Sequence, residues 1–312
     1  MGQRGNYIIK SRGKVDIFYT HWRANLIVND LLLGPSKYID FVKQFDKTDE
    51  LINEPWIEGC VLVNMDSKRL LFWEIDQLFE FTLREKYLNK LKKIWKEWKI
   101  EFLEKEMYDI ENILKIDYTS IQKKSFTKIK IEEIINNTVH DYVSCLVIFK
   151  RQNKIDLKKI YTGSDEQLSL LGKQIISVLE NKPSSKLIKE SDIEVSNIIL
   201  IDCDNNLLFI NQNITGLKDE LIDLWTGWQI EVGNFGYINL LKKIGHDTTS
   251  LQMNENEILE RIKDISNYKD DFDPLKVAKR ITETDEDIKF YPNFFENIKP
   301  KKTIWERIRI KF

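Results

Sequence analysis

The chain has 312 residues, with 48 Lys and Arg against 50 Asp and Glu, and a formal net charge of −2. Such balance excludes the broad basic field of a nucleic-acid or membrane-surface protein. A hydrophobic content of 42%, with 8 Trp, 11 Tyr and 16 Phe, excludes a disordered chain and suits two domains with cores of their own.

Taken in chain order, residues 6–10 and 15–20 are β-rich around Ser11-Arg12-Gly13-Lys14, which predicts a hairpin. A short helix follows over 36–44. Residues 60–64 and 69–73 flank Met65-Asp66-Ser67-Lys68 and predict a second hairpin. Its first strand is apolar nearly throughout, as burial on both faces requires. Asp66 is expected to serve its own turn through local backbone bonds. Tyr87, Leu91, Ile94, Trp95 and Trp98 form one helical stripe, so the tryptophans are expected to be buried core anchors. A strand over 99–103 and a helix over 110–114 complete the unit.

After a polar, Lys-rich segment the same order begins again. Lys10-Ser11-Arg12-Gly13-Lys14-Val15-Asp16-Ile17 matches Lys150-Arg151-Gln152-Asn153-Lys154-Ile155-Asp156-Leu157. Leu32-Leu33-Gly34 matches Leu170-Leu171-Gly172, and Val63-Asn64-Met65-Asp66 matches Ile201-Asp202-Cys203-Asp204. Trp95-Lys96-Glu97-Trp98-Lys99-Ile100-Glu101 matches Trp225-Thr226-Gly227-Trp228-Gln229-Ile230-Glu231. Four blocks in one order point to an internal duplication.

The predicted fold is therefore α+β: two tandem, pseudo-symmetric ββαββαβα-like units and a C-terminal helical and strand extension. The expected boundaries are 1–115 for the first unit, 116–140 for a linker, 141–247 for the second unit and 248–312 for the extension. The extension offers helices from Asn254 and from Pro274, and a strand-like Arg307-Ile308-Arg309-Ile310-Lys311-Phe312.

The chemistry-bearing motifs are few. Cys60, Cys145 and Cys203 lie far apart in apolar runs, as buried reduced thiols do. His21, His140 and His246 have no metal-ligand spacing to one another or to a cysteine, so no metal is expected. Neither a Gly-rich phosphate loop nor a G-x-S-x-G elbow is present, and no cofactor is implied. The N-terminus lacks an apolar signal region and no run of about 18 apolar residues occurs, which points to a cytoplasmic protein without a membrane partner.

What distinguishes the copies is Tyr19-Thr20-His21-Trp22-Arg23: the second reaches Tyr161-Thr162 and continues with Gly163-Ser164-Asp165. Arg23 offers a fork, Trp22 a stacking face, and His21 an acid, base or donor, as a site for a planar or small anionic ligand would use. The competing structural reading makes Trp22 a core plug and satisfies His21 and Arg23 with carboxylates. Removal of His21 or Arg23 is expected to cost folding no more than about 1 kcal/mol. Glu58 and Glu101 are further candidates, and Glu101 with Glu231 forms a carboxylate pair across the pseudo-two-fold.

The opening Met1-Gly2-Gln3-Arg4-Gly5-Asn6-Tyr7, with Tyr19-Thr20-His21-Trp22 and Trp56-Ile57-Glu58-Gly59, resembles a family of uncharacterised bacterial proteins. They begin similarly and carry a Tyr-Ser/Thr-His-Trp motif in the first hairpin. The resemblance covers mainly the first unit, implies a bacterial source, and brings no assigned activity. The leading expectation is a partner-binding protein without catalysis of its own, its partner a protein or small molecule. The alternative is an enzyme acting through His21 and Arg23, with Glu58 or Glu101 as carboxylate, on a small anionic or nucleotide-like substrate.

Overall fold

The computed structural model describes residues 3–51, 57–75, 77–104, 106–115, 128–136, 142–211 and 216–267. Its first hairpin joins β1 (Arg4–Ser11) to β2 (Lys14–Thr20). Arg12 and Gly13 take left-handed backbone, φ 53° and 73°, as a two-residue hairpin turn twisted with its strands requires. Two short helices follow, α1 (Ile27–Leu31) and α2 (Pro35–Val42), the latter starting on a proline at its first position. Then come a three-residue strand β3 (Asp46–Thr48) and the second hairpin, β4 (Ile57–Asn64) with β5 (Arg69–Glu74). Helix α3 (Phe81–Ile94), strand β6 (Lys99–Phe102) and α4 (Glu106–Leu114) end the unit.

After α5 (Ile131–Asn136), the second unit repeats the order: β7 (Cys145–Arg151), β8 (Lys154–Ile160), α6 (Asp165–Ser169) and α7 (Gln174–Asn181). It continues with β9 (Ile198–Asp202), β10 (Leu207–Ile210), α8 (Leu217–Leu224), β11 (Gln229–Val232) and α9 (Tyr237–Lys243). The two sheets run β3-β2-β1-β4-β5-β6 and β8-β7-β9-β10-β11. Strand for strand, their pairing senses agree: hairpins antiparallel, β1–β4 and β7–β9 parallel, β5–β6 and β10–β11 parallel. Two similar mixed sheets with helices make the chain α+β, in the arrangement a duplication requires. β3 is the addition of the first unit. Its counterpart is a single bridge between Leu157 and Ser185, at the register of Ile17 with Thr48.

The shared residues hold the shared frame. Trp95 and Trp225 are fully buried at the ends of α3 and α8. Their indole N–H groups donate to the carbonyls of Leu31 and Ser169, both at 2.7 Å, so each tryptophan ties its helix to the last residue of the first crossover helix, α1 or α6. Trp98 and Trp228 are only partly buried, contrary to expectation, and pack edge-on at 5.1 and 4.8 Å from their partners. They lie beyond the helix ends, where left-handed Glu97 and Gly227 turn the chain into the next strand.

Asp66 and Asp204 also differ from expectation. Each accepts backbone N–H bonds from the neighbouring hairpin's turn: Arg12 and Gly13 in one unit, Gln152 and Asn153 in the other. The local turns are served instead by Asn64 and Asp202, whose side-chain oxygens accept from the N–H groups two and three residues on.

Helices cover both faces of each sheet, which explains the apolar central strands β4 and β9. Both sheets belong to one compact unit spanning Met1–Ser266. At their junction the buried Arg84 of α3 donates to the carbonyls of Asn234 and Phe235, at 3.1 and 3.2 Å. Asn234 N–H donates to Glu104 O at 2.7 Å.

Parts of the expected linker and extension pack on the cores. Part of the 116–140 linker is α5, whose Ile134 is buried in the second core. Part of the extension is α10 (Glu255–Asn267), opened by reciprocal bonds between Asn254 and Glu257, with Ile258, Ile262 and Ile265 in the first core. The helix expected from Pro274 and the strand over 307–312 lie outside the described residues. Among the described residues, no helix is long and apolar enough to cross a membrane.

Candidate functional site

The end of β2 is built by an unusual use of Gln3. Gln3 N–H donates to the His21 carbonyl, while the N–H groups of Arg23 and Ala24 both donate to the Gln3 carbonyl, each at 2.8 Å. This clamp ends the strand and fixes three consecutive side chains. Tyr19 Oη and His21 Nδ1 are 3.3 Å apart, with the proton's place set by the imidazole tautomer. The rings of His21 and Trp22 stack at 4.5 Å between centroids, tilted by 57°. Tyr19, His21 and Trp22 are all half-buried, so the structure makes one aromatic rim from them.

Arg23 leaves that rim. Its Nε and Nη2 donate to the two oxygens of Asp30 at 2.8 Å each, and its guanidinium lies 4.6 Å over the Phe41 ring. The side chains are 18% and 5% exposed, so this is an interior pair. Burial works against the cation, but the charge and bonds of Asp30 more than offset it, and the guanidinium stays charged. Tyr7 Oη donates to the Arg23 carbonyl at 3.1 Å, anchoring the backbone as well. Sequence reasoning missed Asp30. The available signal was its co-loss with Arg23, since the Leu-Leu-Gly match sets Leu168 opposite Asp30.

Glu101 stands at the far edge of the sheet. β1, β4 and β5 lie between β2 and β6, so four steps of ~4.8 Å put about 19 Å between the strands. A concerted role for Glu101 with His21 does not fit that spacing. Arg69 and Lys99 bind Glu101 at 2.7 and 2.9 Å. Burial opposes ionisation there, and these two cations hold the carboxyl below the usual glutamate range. Glu231 pairs with Gln229 and Lys243 of its own unit. Glu58 sits at the half-buried start of β4, at a register shift against β1, and its carbonyl accepts from Ile75 N–H at 3.0 Å.

Elsewhere, a shallow groove lies beside the end of α8, formed by Trp225, Trp228 and the exposed Ile222. Among the described residues, no group of three or more His, Cys, Asp or Glu side chains is placed to hold a metal ion.

No known family's sequence model matches the chain, and no curated protein matches it. Among solved structures, it is similar to the NMR structure of a protein designated TA0956, with 20% identity and a TM-score of 0.22. That match covers 33% of this chain and 98% of the other.

Proposed function

We propose that this is a cytoplasmic bacterial protein that binds a protein or small-molecule partner without catalysis of its own. The Tyr19–His21–Trp22 rim is the contact element. The observation that carries this reading is the pair of hydrogen bonds from Arg23 to Asp30, which commits to the interior the charged member an enzyme site needs. What stays at the surface is stacking area with a histidine donor or acceptor, the composition of a recognition patch. The second unit's equivalent strand, β8, ends at Ile160; it keeps a tyrosine, Tyr161, but continues with Gly163 and Ser164 and carries neither the imidazole nor the indole.

The test uses the full chain as bait in a bacterial lysate and in a metabolite mixture, beside His21→Ala and Trp22→Ala variants of matched thermal midpoint. A specific partner should be retained by the parent and lost by both variants. Retention unchanged by either substitution, or turnover of a captured small molecule, contradicts the proposal.

A further inference from the structure

The junction between the units contains a buried acid that neither the frame nor the rim uses. Glu190 follows the second unit's crossover helices and is 2% exposed. One carboxyl oxygen accepts from the N–H of Thr82 at 3.2 Å, the second residue of α3 in the other unit. Helix α3 has no side-chain cap of its own, so Glu190 supplies in trans an acceptor that a helix start requires. The other oxygen of Glu190 is buried with no well-formed hydrogen bond, although the Thr82 hydroxyl and the Phe81 N–H of the same turn lie close enough to favour the charged form in part. An ionised carboxylate in that position is costly, whereas a neutral one keeps the Thr82 bond and loses the charge.

The surrounding charges deepen the contrast. Glu80, which precedes α3, raises the cost of ionising Glu190. Its own buried second oxygen has no hydrogen bond, and its first binds Arg261 of α10 at 2.9 Å. Arg84, one turn into α3, is the cation that faces Glu190, but it is shared with Glu74, Glu85 and Glu104 and spends its N–H groups on the carbonyls of Asn234 and Phe235. The backbone of Glu190 is fixed, since its N–H donates to Leu251 O at 2.8 Å.

We propose that Glu190 is a proton-controlled latch on the junction: neutral, it holds the first turn of α3 against the second unit, and ionised, it releases that turn. Burial raises the Glu190 carboxyl above the ordinary glutamate range, beyond what the bonds from α3 restore. A group whose folded-state affinity for protons is raised stabilises the closed form at low pH and loses that contribution as pH climbs through its own titration. The latch therefore closes on acidification and loosens toward alkaline pH.

Amide hydrogen exchange on the full chain, corrected for the intrinsic pH dependence, tests this directly. Protection at residues 81–84 should fall as pH rises from the usual glutamate range toward 8, beyond any fall at the first turn of α8. The first turn of α8, residues 217–220, has no counterpart of Glu190 among the described residues and serves as the internal reference. Glu190→Gln should hold protection at 81–84 flat across that range. Equal losses at α3 and α8, or a Glu190→Gln variant that keeps the parent's slope, would overturn the latch. If that variant does not fold, Glu80→Gln decides: removing the neighbouring charge should move the loss to lower pH, and an unmoved midpoint refutes the proposal.

Discussion

Arg23 and Asp30 are joined by two parallel bonds of 2.8 Å inside the first unit, and the second unit lacks both residues. The pair is an interior ion pair rather than a ligand fork. Removing the arginine alone strands a carboxylate that is 5% exposed. Arg23→Ala is therefore expected to cost about 3–5 kcal/mol, against the loss of at most about 1 kcal/mol that the sequence suggests. Arg23→Met with Asp30→Leu should recover most of that cost, because the second unit packs Leu168 at this point. Denaturant melts of the two singles and the double close the cycle. An Arg23→Ala variant as stable as the parent would return Arg23 to the surface site.

A second buried acid sets the pH response of the other unit. Asp165 at the start of α6 is fully buried where the first unit has Ile27, and one of its oxygens has no hydrogen bond. Burial pushes its carboxyl up to about 7 from 3.8. The folded state then binds the proton more tightly than the unfolded one, so stability falls as pH rises from the usual aspartate range to about 7 and is flat above it. Between pH 5 and 8 this group should remove about 3 kcal/mol, at ~1.4 kcal/mol per unit. Asp165→Asn should flatten the curve by that amount, as read from urea melts at both pH values. Parallel curves for variant and parent would show that Asp165 ionises normally in the fold.

Gly59 fixes how closely the first crossover approaches the sheet. A methyl group there would collide with Ile27 Cδ1 and sit 3.3 Å from both Ala24 Cβ and the Trp73 carbonyl. Its backbone is not left-handed, so the constraint is contact rather than conformation. Gly59→Ala is expected to destabilise by about 1–3 kcal/mol, the range for overpacking. Gly59→Ala with Ile27→Val should regain part of it. A neutral single substitution would mean the crossover is free to shift.

These residues also show where a sequence can be read and where it cannot. The two hairpins, the α3 and α8 stripes and the order of the repeat are legible because they rest on local period and turn chemistry, as in Gly13 and Asn153. β3 escapes because three edge residues, Asp46-Lys47-Thr48, carry no alternation. α5 escapes because its six residues, with Ile134 buried, Ile131 partly so and Ile135 exposed, are too short for a helical period to show. Among the site candidates, the rim of His21 and Trp22 follows from comparing the copies. The inward turn of Arg23 does not, because only the fold brings Asp30 to it. Glu101 looks catalytic in one dimension and lies a sheet's width away in three. Glu190 and Arg84 read as surface charges, since a junction between units leaves no periodic trace.

The duplicated frame is tested most directly at its two equivalent tryptophans. Trp95 and Trp225 are fully buried and each indole N–H is bonded to a backbone carbonyl at 2.7 Å. In a spectrum of the protein with its 8 tryptophans labelled at the indole nitrogen, assigned through Trp95→Phe and Trp225→Phe, both protons should exchange slowly and at similar rates. One slow and one solvent-fast proton would place the two residues in unlike environments and contradict the pseudo-symmetric fold.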